Sequence, residues 1–197
     1  MCLSMIGQLM FALIMFVTLI LTVAAFLTSG WRSFSVVKGN ESEAEKYSMP
    51  ETMGLLWCTS PLLENSLKID YCHLWQNNKP RCDEKVSKLM IATLALEVGS
   101  LIWVAITFCA CCCREFWIFL LPLVAFLTAI TLAVALFVYT CNNKTAFDIL
   151  NESKVAASEA YHVDFSYSYY LAWAALSLVI ICILIGAFAK KLAHICC

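Results

Sequence analysis

Twelve cysteines among 197 residues give this chain its widest choice of side-chain chemistry. Thiols form disulfides in an oxidising compartment, take acyl chains at a membrane edge, or bind zinc as spaced pairs of thiolates. The runs Cys111-Cys112-Cys113 and Cys196-Cys197, even with His194 beside the second, lack the zinc spacing. His73, His162 and His194 stand far from one another in sequence, and none belongs to a plausible nucleophile pairing; they are expected at surfaces or interfaces. No P-loop, H-E-x-x-H or dinucleotide fingerprint is present. The expectation is therefore a protein that is not an enzyme and that uses no cofactor or metal. Three N-x-S/T triplets, at Asn40, Asn143 and Asn151, would accept glycans on the outer side of a membrane. Which chemistry each residue performs depends on its compartment, and so on the elements that place it.

The chain is 62% hydrophobic and 14% charged, with a mean hydropathy of +0.81. A soluble domain is about half apolar and a quarter charged. The excess lies in four blocks, 5–27, 89–113, 116–140 and 169–189. Each reaches the roughly 20 apolar residues that a membrane-crossing helix requires. Backbone groups in lipid must be paired within the segment, so each block is expected to be helical. A cleaved signal peptide would have a shorter apolar run behind a basic start; the first block is longer and no Lys or Arg precedes it. The net charge of −1, with no basic patch, gives no reason to expect nucleic-acid binding.

Arg114 in the two-residue turn 114–115, and Lys190 and Lys191 in the tail 190–197, place these segments in the cytoplasm by the positive-inside rule. The long connections, 28–88 and 141–168, then face outside, and all three glycan triplets fall within them. Cys58, Cys72, Cys82 and Cys141 share that oxidising side. Four cysteines allow three pairings; the preferred one joins Cys58 to Cys72 and Cys82 to Cys141, against a reading of free, buried thiols. Cys2, Cys111, Cys112, Cys113, Cys196 and Cys197 lie at the inner edge and are candidates for palmitoylation. The rival readings are apolar residues facing lipid, prenylation or zinc binding.

Several short motifs then follow in a telling order. Trp31 stands in SGWRSF, directly after the first helix. Gly54, Leu55, Trp57 and Cys58 stand in GLLWC, and Cys72 follows. KLMIATLAL opens the second helix and FSYSYYLAWAALSL the fourth. The chain resembles the superfamily of claudins, peripheral myelin protein and epithelial membrane proteins, as a divergent claudin-like four-span protein. The family pattern has a tryptophan, then Gly-Leu-Trp, then two disulfide-bonded cysteines; here Leu56 is inserted and Cys58 follows Trp57 at once. The resemblance implies one domain over 1–197: a mainly α membrane protein, a left-handed bundle of four helices carrying a small extracellular antiparallel sheet. WRSFSVV, GLLWCT and KIDYCHLW are the expected strands. Trp57 and Cys58 would sit in a strand packed on the helix tops.

By the same resemblance the chain acts in cell–cell junctions, adhesion or a paracellular barrier. Its partners would be membrane lipids and other copies of itself, in the same or a facing membrane. The alternative is an auxiliary subunit, of the gamma-subunit kind, bound through its helices to an ion channel or receptor. The ending lacks the Tyr-Val-like signal of many claudins, which argues against PDZ-scaffold binding. A membrane enzyme or transporter is disfavoured by the scarcity of polar residues within the helices.

The first loop holds eight basic and eight acidic residues over 28–88, so no ion preference follows. Lys68 and Asp70, expected on a strand, are the candidate charges for lining a pore, ahead of Glu41, Glu43 and Glu45 in a flexible stretch. Close helix packing is expected at Ala92, Ala95 and Gly99, and at Ala125, Ala129 and Ala133. Glu97 is the acid deepest in a helix. With no Lys or Arg at that depth, it is expected to be protonated and bonded to Ser, Thr or backbone, or else to serve an ion or a channel partner.

Overall fold

The computed structural model describes residues 2–38, 47–58, 69–109, 114–143, 146–147, 150 and 154–195. In chain order the elements are α1 (Cys2–Leu27), β1 (Arg32–Val36), β2 (Tyr47–Ser48), β3 (Thr52–Met53), β4 (Ile69–Asp70), α2 (Tyr71–Asn77), α3 (Arg81–Cys109), α4 (Arg114–Asn142), α5 (Lys154–Ala160), β5 (Tyr161–Phe165) and α6 (Tyr167–Ile195). Four of the helices are long and apolar enough to cross a membrane: Met5–Leu27, Arg81–Phe108, Leu120–Asn142 and Tyr167–Ala187.

The first of these spans has the expected limits. The second begins at Arg81 rather than at residue 89. Its opening turn carries Asp83 and Glu84, whose negative charge complements the helix N-terminus. A rule that looks for apolar runs misses such a turn.

The chain divides into two compact units. The first comprises Met1–Val23, Leu89–Val134 and Ala172–Cys197. Its core joins Phe11 and Met15 of α1, Val104 of α3, Leu121 and Ala125 of α4 and Cys182 of α6. The buried residues of α1 in this unit, Gln8, Phe11, Met15, Thr18 and Thr22, recur at intervals of three and four, the repeat of one helical face. The opposite face carries Leu9, Leu13, Phe16 and Ile20, all about half exposed.

The small-residue faces differ from expectation. On α4, Ala125 and Ala129 are buried but Ala133 is exposed. A stripe at every fourth residue drifts around a helix of 3.6 residues per turn, and Leu132 takes the next inward place. On α3, Ala92, Ala95 and Gly99 all face outward. The inward stripe is instead Thr93, Glu97, Ser100, Val104 and Thr107.

The second unit comprises Ala24–Lys88 and Ala135–Leu171. Its three-stranded antiparallel sheet has the order β3-β1-β5. Arg32 pairs with both Met53 and Phe165, and Val36 with Tyr161. A second, two-stranded sheet pairs β2 with β4 in parallel. Phe34, Tyr47, Met53, Tyr71, Trp75, Phe147 and Tyr161 form its core.

The strand expected over KIDYCHLW stops at Asp70, and α2 begins at Tyr71. Asp70 caps that helix: its carboxylate accepts from the N–H groups of Cys72 at 2.9 Å and His73 at 3.3 Å. The buried residues Tyr71, Cys72 and Trp75 share one face of the helix, an arrangement that an alternating strand would not give.

Candidate functional site

The second unit is organised around the tryptophan that ends the first connection from α1. Trp31 is fully buried, and its Nε1 donates to the carbonyl of Ala25 at 2.6 Å. Tyr139 meets its ring edge-on with centroids 4.8 Å apart. Thr28 and Ser168 share a hydroxyl contact of 2.6 Å, and the Ser168 hydroxyl accepts from Gly30 N–H at 3.0 Å. The ring of Tyr167 lies against Gly30 where any side chain would stand.

Arg32, the next residue, is buried with its charge. Its Nη1 and Nη2 donate to the two oxygens of Asp83 at 3.1 and 2.9 Å. Its Nε donates to Oδ1 of Asn143 at 3.1 Å, and its guanidinium lies 4.9 Å from the Tyr139 ring centre. Trp75 Nε1 adds a bond to Asp83 at 3.0 Å. Planar, forked donors meeting a carboxylate along both N–H directions make this pairing strong and directional. Tyr71 closes the group by donating to the carbonyl of Ala146 at 2.6 Å. Burial pushes the Tyr71 hydroxyl well above the usual tyrosine range, although nearby Arg32 opposes it.

Cys58 and Cys72 are joined by a disulfide, as expected. The backbone of Cys58 also pairs antiparallel with Met53, the last residue of β3. Between them the chain turns tightly: Gly54 N–H donates to the carbonyl of Trp57 at 3.0 Å. The turn buries Leu55 and leaves Trp57 60% exposed. Trp57 therefore does not lie in a strand packed on the helices, and Leu55 is the side chain directed inward. Lys79 donates to the Leu55 carbonyl at 2.5 Å and lies 4.8 Å from the centre of the Trp75 ring. Burial lowers the Lys79 ammonium from its usual range, partly offset by Asp83 and Glu84.

One further expectation is corrected. No disulfide joins Cys82 to Cys141; Cys141 is exposed on the last turn of α4. Asn143, in one of the glycan triplets, is buried with its amide oxygen accepting from Arg32. Asp70 uses one carboxylate oxygen to cap α2. Lys68, Asn40, Asn151, Cys111, Cys112, Cys113, Cys196 and Cys197 lie outside the described residues.

In the first unit, Glu97 is fully buried and in contact with Thr22, whose hydroxyl lies 2.8 Å from Oε1. Among the described residues no group of three or more His, Cys, Asp or Glu side chains gathers as a metal site. On β5 the exposed side chains of His162 and Asp164 meet, Nδ1 to Oδ1, at 3.1 Å.

The group around Arg32 was not singled out by sequence. Arg32 and Asp83 are distant in the chain and look like two of many loop charges; their only local signal is Asp83 within a helix's first turn. No protein-family model matches the chain, and no curated protein matches its sequence.

Proposed function

We propose that the chain is a divergent claudin-like protein of the plasma membrane, with four spans, a left-handed bundle and cytoplasmic termini. Its extracellular loops would join neighbouring cells in an adhesive junction or a paracellular barrier. The observation that carries this reading is the Cys58–Cys72 disulfide behind the GLLWC turn, with Trp31 buried at the start of β1. These features recur in the order of the family pattern, in a chain with four long apolar helices.

The exterior supports a lipid environment. Ile6, Leu13, Ile102, Phe137 and Leu184 are each more than half exposed, a surface too oily for water. Tyr167, Tyr170 and Trp173 stand outward along the start of α6, where an aromatic belt would meet the headgroups. The exposed Trp57, on a turn fastened by a disulfide, offers the second unit a rigid aromatic contact of the kind that anchors interfaces.

The test is expression in cells that lack junctional strands. Enrichment at contacts between two expressing cells, with strands visible by freeze-fracture, is expected. Uniform surface distribution with no gain in cell adhesion would refute the junction reading.

A second reading, an auxiliary subunit of a channel or receptor, is favoured by one observation. Ala92, Ala95 and Gly99 face outward on α3, and nothing lies within 4 Å of where a Gly99 side chain would begin. Small residues let a second helix approach closely in lipid. Purification in mild detergent separates the readings: a channel or receptor in fixed proportion supports the subunit, and homopolymers support the junction protein.

A further inference from the structure

The contact between α1 and α3 holds more short oxygen–oxygen pairs than its ionised form has protons. Thr22 Oγ1 lies 2.8 Å from Glu97 Oε1 and 3.0 Å from the carbonyl oxygen of Thr18. A threonine hydroxyl has one proton to donate. If Glu97 were a carboxylate, Thr22 could satisfy only one of these two acceptors. Glu97 Oε2 is buried with no hydrogen-bond partner, so the charge would also have an unsolvated end.

The neighbouring hydroxyls offer no relief. Thr18 donates to Ile14 at 2.9 Å, Ser100 to the Glu97 carbonyl at 2.7 Å, and Thr107 to Val104 at 2.7 Å. Thr93, one turn before Glu97, contacts Leu89 and Thr131. On α6 the buried thiol of Cys182 lies 3.9 Å from the Phe11 carbonyl oxygen. Among the described residues no Lys, Arg or His acts on Glu97.

We propose that Glu97 is a proton-binding site within the first unit. It holds one proton on Oε1 and donates it in a hydrogen bond to Thr22 Oγ1, and the Thr22 hydroxyl in turn donates a hydrogen bond to the Thr18 carbonyl. The protons balance: two short contacts, two donors. Oε2 becomes the carbonyl oxygen of a neutral acid, whose burial costs far less than that of a carboxylate oxygen. The ligand is a proton, and the product is a directional clasp from α3 to α1. This does not depend on what the loops recognise, so failure of the junction reading leaves it standing.

Infrared spectroscopy of the full chain in lipid vesicles at neutral pH reads the protonation state directly. Expected is a carboxylic-acid C=O band above the amide region that is lost in Glu97→Gln, while that variant keeps the wild-type melting temperature. In Thr22→Val the band should persist but move to higher frequency, because the acid has lost its acceptor. Absence of any acid band in the wild-type spectrum overturns the proposal, whether or not the Gln variant folds. An acid band that Thr22→Val leaves unmoved overturns the donor direction.

Discussion

Arg32 and Asp83 meet through two hydrogen bonds, 3.1 and 2.9 Å long, with each side chain only 1% exposed. The pair joins the first residue of β1 to the first turn of α3 and fixes the strand's entry into the sheet. Removing one partner leaves the other charged and buried, which costs about 3–5 kcal/mol. Arg32→Met and Asp83→Leu alone should each lower the melting temperature sharply. The double variant should lose clearly less than the two combined. Thermal unfolding in lipid vesicles checks this; strict additivity would show that the pair is not coupled.

The disulfide between Cys58 and Cys72 spans a sequence separation of 14. Closing a loop of that size restricts the unfolded chain by about 3 kcal/mol in the chain-entropy estimate. Cys58→Ala with Cys72→Ala should therefore destabilise the second unit by that order. Non-reducing peptide mapping should find the 58–72 bridge and leave Cys82 and Cys141 as thiols. Cys141→Ser should melt like the wild type.

Two glycines should respond oppositely to the same change. A Cβ on Gly54 would stand 2.8 Å from the Thr28 carbonyl oxygen and 3.2 Å from that of Trp57. Backbone cannot withdraw as a flexible side chain can, so Gly54→Ala should cost about 1–3 kcal/mol. A Cβ on Gly99 meets nothing within 4 Å, and within a helix Ala is preferred to Gly by up to about 1 kcal/mol. Gly99→Ala should leave the isolated protein as stable as before or slightly more so. Melting curves of the two variants provide the comparison.

Tyr71 carries a pH signature. Burial raises its hydroxyl well above the usual range, whereas the unfolded chain ionises near pH 10, roughly the free tyrosine value. The folded state therefore keeps a proton that the unfolded state loses. Its stabilising effect is complete below about pH 10 and is lost as the pH rises further. Tyr71→Phe should weaken this alkaline loss, at a cost of about 1 kcal/mol at neutral pH for the missing bond to Ala146. Melting temperature against pH for both proteins checks the sign.

Much of this architecture was legible because hydropathy and composition act locally. The span 5–27, the strand in WRSFSVV and the Cys58–Cys72 pair needed no knowledge of partners. What escaped was set at a distance or at a boundary. KIDYCHLW alternates well enough to pass for a strand, yet Asp70 as a cap and the burial of Tyr71, Cys72 and Trp75 make it a helix. Small residues on α3 looked like packing surface, but the inward face is the one bearing Glu97. Asn143 fits a glycan triplet, and only the fold shows its oxygen bound to Arg32. Thr22 could not have been named as the partner of Glu97, since many hydroxyls lie at plausible depths.

Everything proposed for the loops requires the segment between α1 and α3 to be extracellular. An epitope inserted within residues 39–46, in a chain that also carries an N-terminal tag, tests it on living cells. Antibody should reach the inserted epitope on intact cells, and the N-terminal tag only after permeabilisation. An accessible N-terminal tag with a protected loop epitope would contradict the orientation and the junction function with it.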